Sequence, residues 1–190
     1  AVPVSNSYKT KQHKKPKARA HSVSRGEIKM DLVLSTVYSQ RAFDKSWNRT
    51  CGALYKLSKV LPEAVIERPA VIEQIDTLNQ YLTERMDSTV DDLKSRIGQV
   101  EKLMEQRGFL GVEADFSMPT KHSITITTPR IMRLKSVFET LDELHKLIHT
   151  AWSLELMDDG QSRQATNMVN QGVKTLCTHF IAVEKTIFAN

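Results

Sequence analysis

The stretch Lys121–Met157, KHSITITTPRIMRLKSVFETLDELHKLIHTAWSLELM, decides how the whole chain reads. Ile124 and Ile126 alternate with Ser123, Thr125 and Thr127, a period of two carried largely by β-branched side chains. That predicts a strand over 122–128 with one apolar and one hydroxylated face. Pro129 stops the strand and suits the first turn of a helix, with Thr128 as its N-cap. Ile131, Leu134, Phe138, Leu141, Leu144 and Ile148 then recur at spacings of three and four, the stripe of an amphipathic helix over about 130–157.

Upstream, EIKMDLVLSTV repeats the strand pattern. Ile28, Met30, Leu32 and Leu34 alternate with Lys29, Asp31 and Val33, predicting a strand over 28–34. Two short strands can pair as a ribbon within one chain or across a dimer, and either arrangement satisfies backbone groups that a lone strand leaves open.

Between the strands lie two helical patterns. The first, about 40–60, uses Phe43, Trp47, Leu54, Leu57 and Val60; Gly52 interrupts it and Leu61-Pro62 is expected to end it. The second, about 70–107, has a stripe from Ile72 through Ile75, Leu78, Leu82, Met86, Val90, Leu93, Ile97 and Val100 to Met104. At 1.5 Å per residue such a helix is about 55 Å long, so part of it is expected on a partner chain or in an antiparallel arm. Gly108 and Gly111 close it. After the turn Asp158-Asp159-Gly160, Ser162 is positioned to cap a last helix over 162–188, with Val169, Val173, Leu176 and Phe180 in its stripe. The fold class is mainly α: four helices, one very long, and two short strands forming a ribbon.

Charge divides the chain. Residues 1–30 hold Lys9, Lys11, Lys14, Lys15, Lys17, Arg19, Arg25 and Lys29 against Glu27 alone, eight basic to one acidic, a net +7. The remaining 160 residues carry 19 basic and 21 acidic side chains, a net −2. Residues 1–26 have almost no large apolar side chain and read as a basic disordered arm; 27–190 read as a single, mainly helical domain. A focused basic block on a near-neutral body suggests a polyanion, most simply nucleic acid whose phosphates the arm and Lys29 contact; the bland alternative is a solubilising tail.

Catalytic patterns are missing from the sequence. His145 and His149 share a helix face, but no glutamate follows the first histidine and no third ligand is placed, so no metal is expected. No nucleophile stands beside a base, and Gly108-Phe109-Leu110-Gly111 lacks the lysine and spacing of a phosphate-cradling loop. Trp47 and Trp152 stand at core spacing, and Cys51 and Cys177 read as buried reduced thiols. The expectation is a non-enzyme without cofactor. No apolar run reaches the ~18 residues of a membrane span and no signal-peptide stretch occurs, which points to the cytoplasm and away from the membrane.

A strand ending in Thr128-Pro129, then Leu141-Asp142-Glu143-Leu144, then Ala151-Trp152-Ser153-Leu154-Glu155-Leu156-Met157-Asp158-Asp159 resembles regulators encoded on integrating conjugative elements and related plasmids, the AcaB-type activators of transfer genes. In layout the likeness spans about 28–188; in specific residues it is confined to 127–159. It implies a cytoplasmic, dimeric transcriptional activator with a ribbon-helix-helix-like unit binding double-stranded DNA, and RNA polymerase as a further candidate partner. In that fold two antiparallel strands from two protomers enter the major groove and their outward side chains meet base edges. Here the outward set is Lys121, Ser123, Thr125 and Thr127, with Arg130 and Arg133 near phosphates. Helices longer than the compact form of that fold, and a helical segment before the second strand, depart from the pattern. Which strand enters the groove stays open. The alternative function is a non-catalytic helical adaptor or scaffold of a conjugative element, using the long helix to hold partners.

Overall fold

The structure, a computed structural model, describes residues 26–189. The arm cations Lys9, Lys11, Lys14, Lys15, Lys17, Arg19 and Arg25 lie outside the described residues.

The alternating apolar residues build strand β1 at Ile28–Leu34 and strand β2 at Thr120–Ile126. They pair antiparallel, Ile28 opposite Ile126 and Leu34 opposite Thr120, so the ribbon closes within one chain. Leu32, Leu34, Ile124 and Ile126 bury their side chains, while Ile28 at the open end stays exposed. β2 begins and ends two residues earlier than the 122–128 expected from its hydroxyls. The pairing stops at Ile126, and Thr127 and Thr128 instead form the approach to Pro129, with Thr128 buried at the cap position.

Helix α1 (Val37–Tyr55) starts earlier than position 40 because Thr36 caps it: its Oγ1 accepts from the Ser39 N–H at 3.3 Å. Gly52 sits inside α1 without interrupting it. Nor does Leu61-Pro62 end the helical path. A π turn at Lys56–Val60 leads into a short α2 at Leu61–Ala64, and the Leu61 N–H reaches back five residues to the Lys56 carbonyl. The wider turn lets the path run on through Pro62, whose missing N–H would otherwise orphan a carbonyl.

Helix α3 (Pro69–Gln106, 38 residues) buries Ile75, Leu82, Met86, Leu93, Ile97, Val100 and Met104. It packs along α4 (Pro129–Ser153) and touches α5 (Asp159–Phe188), so this chain's own helices cover the stripe that suggested a partner. Both α3 and α4 end in a paired 6→1 and 5→2 closure. At α3, the Phe109 N–H donates to the Met104 carbonyl at 2.8 Å and the Gly108 N–H to that of Glu105 at 3.0 Å, with Gly108 at φ +77°. At α4, Leu156 donates to Ala151 at 2.9 Å and Glu155 to Trp152 at 3.0 Å, with Glu155 at φ +58°. That closure ends α4 four residues short of Met157. α5 is capped by Asp158 rather than Ser162: Asp158 and Gln161 form a reciprocal capping box.

α4 is the central post, packed by α1, α3, α5 and both strands. Phe138, fully buried, meets Phe43 and Trp47 edge-on at ring-centroid distances of 5.8 and 5.6 Å, and Phe43 stacks on Trp47 at 5.0 Å. Trp152 departs from its expected core place. It is exposed on α4, and its Nε1 donates to Asp159 Oδ1 at 2.7 Å. The molecule is thus mainly helical with one two-stranded antiparallel ribbon, and no described helix is long and apolar enough to cross a membrane.

Candidate nucleic-acid interface

A ribbon with its inner residues in the core must turn the opposite parity outward. Its exposed face carries Lys29, Asp31 and Val33 from β1 and Lys121, Ser123 and Thr125 from β2. Cross-strand pairing places Lys29 opposite Thr125, Asp31 opposite Ser123 and Val33 opposite Lys121. The face therefore offers two ammonium groups, two hydroxyls and one carboxylate. Lys121 Nζ lies 3.1 Å from Asp31 Oδ2, a diagonal pair with both side chains more than half exposed. An exposed pair of this kind is worth at most about 1 kcal/mol, so a phosphate or base edge can displace the carboxylate. Serine and threonine hydroxyls both donate and accept, and can meet either kind of group on a base edge.

The face is held from beneath. Phe43 lies 4.1 Å, centroid to centroid, from the ring of His122, which points inward from β2. At the exit of β1, Asp142 reaches over from α4. Its Oδ2 accepts from the Ser35 N–H at 2.9 Å, and its Oδ1 from the Thr36 N–H at 3.0 Å and the Thr36 hydroxyl at 2.9 Å. Asp142 is only 4% exposed. A buried carboxylate with three donors is a satisfied charge, and here it locks the β1–α1 corner to the central helix.

Of the described candidates, Lys29, Lys121, Ser123 and Thr125 come together on one exposed face. Thr127 does not join them: it lies past the end of β2, half-buried, with its Oγ1 enclosed and unbonded within the protein. Arg130 and Arg133 turn toward α3. Arg130 Nε donates to the Asn79 carbonyl at 3.4 Å and its Nη1 to Ser58 Oγ at 3.5 Å. Burial and the neighbouring Arg133 lower its pKa, with Asp76 opposing them. Arg133 Nη1 pairs with Asp87 Oδ1 at 2.6 Å.

His145, whose place on α4 tempted a metal reading, is buried with its Nε2 2.7 Å from Asn170 Oδ1. Burial lowers its pKa, against the raising effects of Asn170 and Asp142. Cys51 and Cys177 carry no disulfide; burial, with Cys177 second, pushes the Cys51 thiol up to about 12, and burial raises Cys177 too. Among the described residues no group of His, Cys, Asp and Glu is arranged to hold a metal ion.

Sequence reasoning missed two features. Asp142 was legible only as a polar residue beside an apolar stripe. The cations Arg41, Lys45 and Arg49 on α1 had a signal in their i, i+4, i+8 spacing.

A largely helical body with an intrachain antiparallel ribbon across its central helix defines the structural class. No protein-family model matches the chain, and no curated protein matches it in sequence. Among solved structures it is similar to selenomethionine-containing AcaB from uropathogenic E. coli, with 25% sequence identity and a TM-score of 0.76. The match covers 85% of this chain and 81% of that one. The fold is therefore AcaB-like.

Proposed function

We propose that this protein is a DNA-binding regulator of conjugative-transfer genes, acting as a cytoplasmic homodimer that lays the outer face of its ribbon in the major groove. The observation that carries the reading is the convergence of Lys29, Lys121, Ser123 and Thr125 on one exposed face of an AcaB-like backbone. Activation of transfer genes comes from the AcaB-type resemblance, which the shared backbone supports. No catalytic group or cofactor enters the reading. The outer edges of β1 and β2 are unpaired among the described residues, which supports a second copy as the partner that meets them. The α3 stripe, which α4 and α5 cover, supports neither a second copy nor the alternative of a helical adaptor that holds partners on its long helix.

The test compares Lys121→Ala and Thr125→Ala with wild type on duplexes selected for tight binding and on random duplexes. Each good base contact is worth about 1–3 kcal/mol, so the specificity ratio should fall roughly tenfold or more. Melting temperature serves as the folding control. Equal loss on both DNAs, or none on either, makes the ribbon structural. Light scattering should give about twice 21.6 kDa; a monomer that still binds DNA removes the dimer.

A further inference from the structure

The described body has about as many acidic as basic side chains, so a cluster of one sign on it needs a local reason. Several cations of the body have a carboxylate in reach: Lys56 has Glu184 at 2.7 Å, Arg133 has Asp87 at 2.6 Å and Lys146 has Glu113 at 3.4 Å. The groove between α1 and α5 is different. It has a volume of about 580 Å³, and Arg41, Lys45 and Arg49 from α1 and Lys174 from α5 line it. No aspartate or glutamate lines it, and none of the four cations forms an ion pair among the described residues.

The spacing adds direction. Arg41, Lys45 and Arg49 follow one another every four residues, which on an α-helix puts them on one face at intervals of about 6 Å. Lys174 faces them across the groove, with the amides of Asn167 and Gln171 on the same wall. A linear file of cations with neutral hydrogen-bonding groups opposite suits a linear polyanion better than a single compact anion. Like charges held this close without carboxylates repel one another, and a bound chain of phosphates removes that repulsion.

We propose that the α1–α5 groove binds the phosphodiester backbone of a nucleic-acid strand, independently of base sequence. The site stands apart from the ribbon. It starts about one turn into α1, and its cations lie on the side of that helix facing α5, whereas Phe43 on the same helix meets the ribbon at His122. It would anchor DNA whether or not the ribbon discriminates bases.

The experiment uses the full chain and a random-sequence duplex, with affinity measured over a series of salt concentrations. Arg41→Gln, Lys45→Gln and Arg49→Gln are combined in one variant. A control variant combines Lys59→Gln, Lys94→Gln and Lys102→Gln, which removes the same charge from exposed positions outside the groove. If three phosphates are contacted, the groove variant should flatten the slope of log affinity against log salt by roughly 2–3, at about 0.9 per contact, and lose about tenfold or more in affinity near 0.1 M salt. The control should keep most of both. Equal changes in the two variants, or none in the groove variant, overturn the site while leaving the ribbon reading to stand or fall on its specificity ratio. A wild type that fails to bind any duplex at low salt overturns both. Inorganic triphosphate separates the sources of phosphate. Saturable micromolar binding of triphosphate that is lost in the groove variant would overturn the backbone assignment in favour of a small phosphorylated ligand.

Discussion

Helices α3 and α4 lie side by side and both show apolar stripes at spacings of three and four, yet they hold different ranks in the molecule. α3 has 38 residues and buries eight of them, all but Asn79 apolar and all along one face. α4 has 25 and buries twelve, among them Asp142, His145, Thr140 and Thr150. A stripe says that a helix packs on something; it does not say on how many sides. The difference shows in the polar residues. A helix with one buried face leaves its charged groups in water, whereas a helix enclosed on several sides must find each one an internal partner.

The contrast is broken most severely at Asp142. Replacing it with alanine leaves the Ser35 and Thr36 N–H groups without their acceptor and cuts the tie between β1, α1 and α4. Leaving buried donors without their acceptor costs about 1–3 kcal/mol per group, which denaturant unfolding should register. The exposed Asp92 on α3, paired with Arg96 at 3.3 Å one turn away, should cost under about 1 kcal/mol when changed to alanine. Similar losses at both sites would erase the distinction between the helices.

A smaller effect should appear with pH. Burial holds the folded-state pKa of His145 below its ordinary value near 6.5. Its contribution to stability is therefore complete above that pH and is lost as the pH falls toward the folded-state value. The wild-type melting temperature should decline between pH 7.5 and 5.5, and His145→Gln should decline less over the same range. Identical acid limbs would show that the imidazole does not titrate with unfolding.

The smallest effects lie at the helix ends, where the two helices use one closure with different residues. Gly108 holds the left-handed position after α3, and Glu155 holds it after α4. A side chain in that region costs about 1–2 kcal/mol, partly offset by the backbone entropy a glycine loses on folding. Glu155→Gly should accordingly raise stability by up to about 1 kcal/mol, and Gly108→Ala should lower it by about 1 kcal/mol. A Cβ at Gly108 would meet nothing within 4 Å, so the backbone angle alone decides that sign. Two changes of the same sign in chemical unfolding would refute the parallel.

What was legible in the sequence follows the same division. Period-two and period-four patterns located both strands and all four long helices, because each buries a regular face. β1 needed no adjustment, whereas the hydroxyls of Thr127 and Thr128 continued the alternation past the point where pairing stops. The helix through Leu61-Pro62 was misplaced because the π turn that carries it leaves no mark in residue type. At the candidate interface, parity alone placed Lys121, Ser123 and Thr125 on the outer face. Arg130 and Arg133 could not be placed that way, since the groups they meet, Asn79, Ser58 and Asp87, lie on other elements far away in sequence. Asp142 has the same history: its partners are more than 100 residues upstream.

That distance has a consequence for how the protein comes into being on the ribosome. Thr36 and Asp142 are 106 residues apart, and β1 pairs with a strand that is made only shortly before Asp142. Chains lengthen at about 5–20 residues per second, so β1 and its corner spend roughly 5–20 s with neither their neighbouring strand nor their carboxylate. During that interval α1 and α3 can form by local contacts while the first strand waits. β2 and α4 then emerge almost together, and the ribbon and its lock close as one late step. A chain cut short before residue 120 would carry β1 with neither edge paired, and that is the species a chaperone would meet.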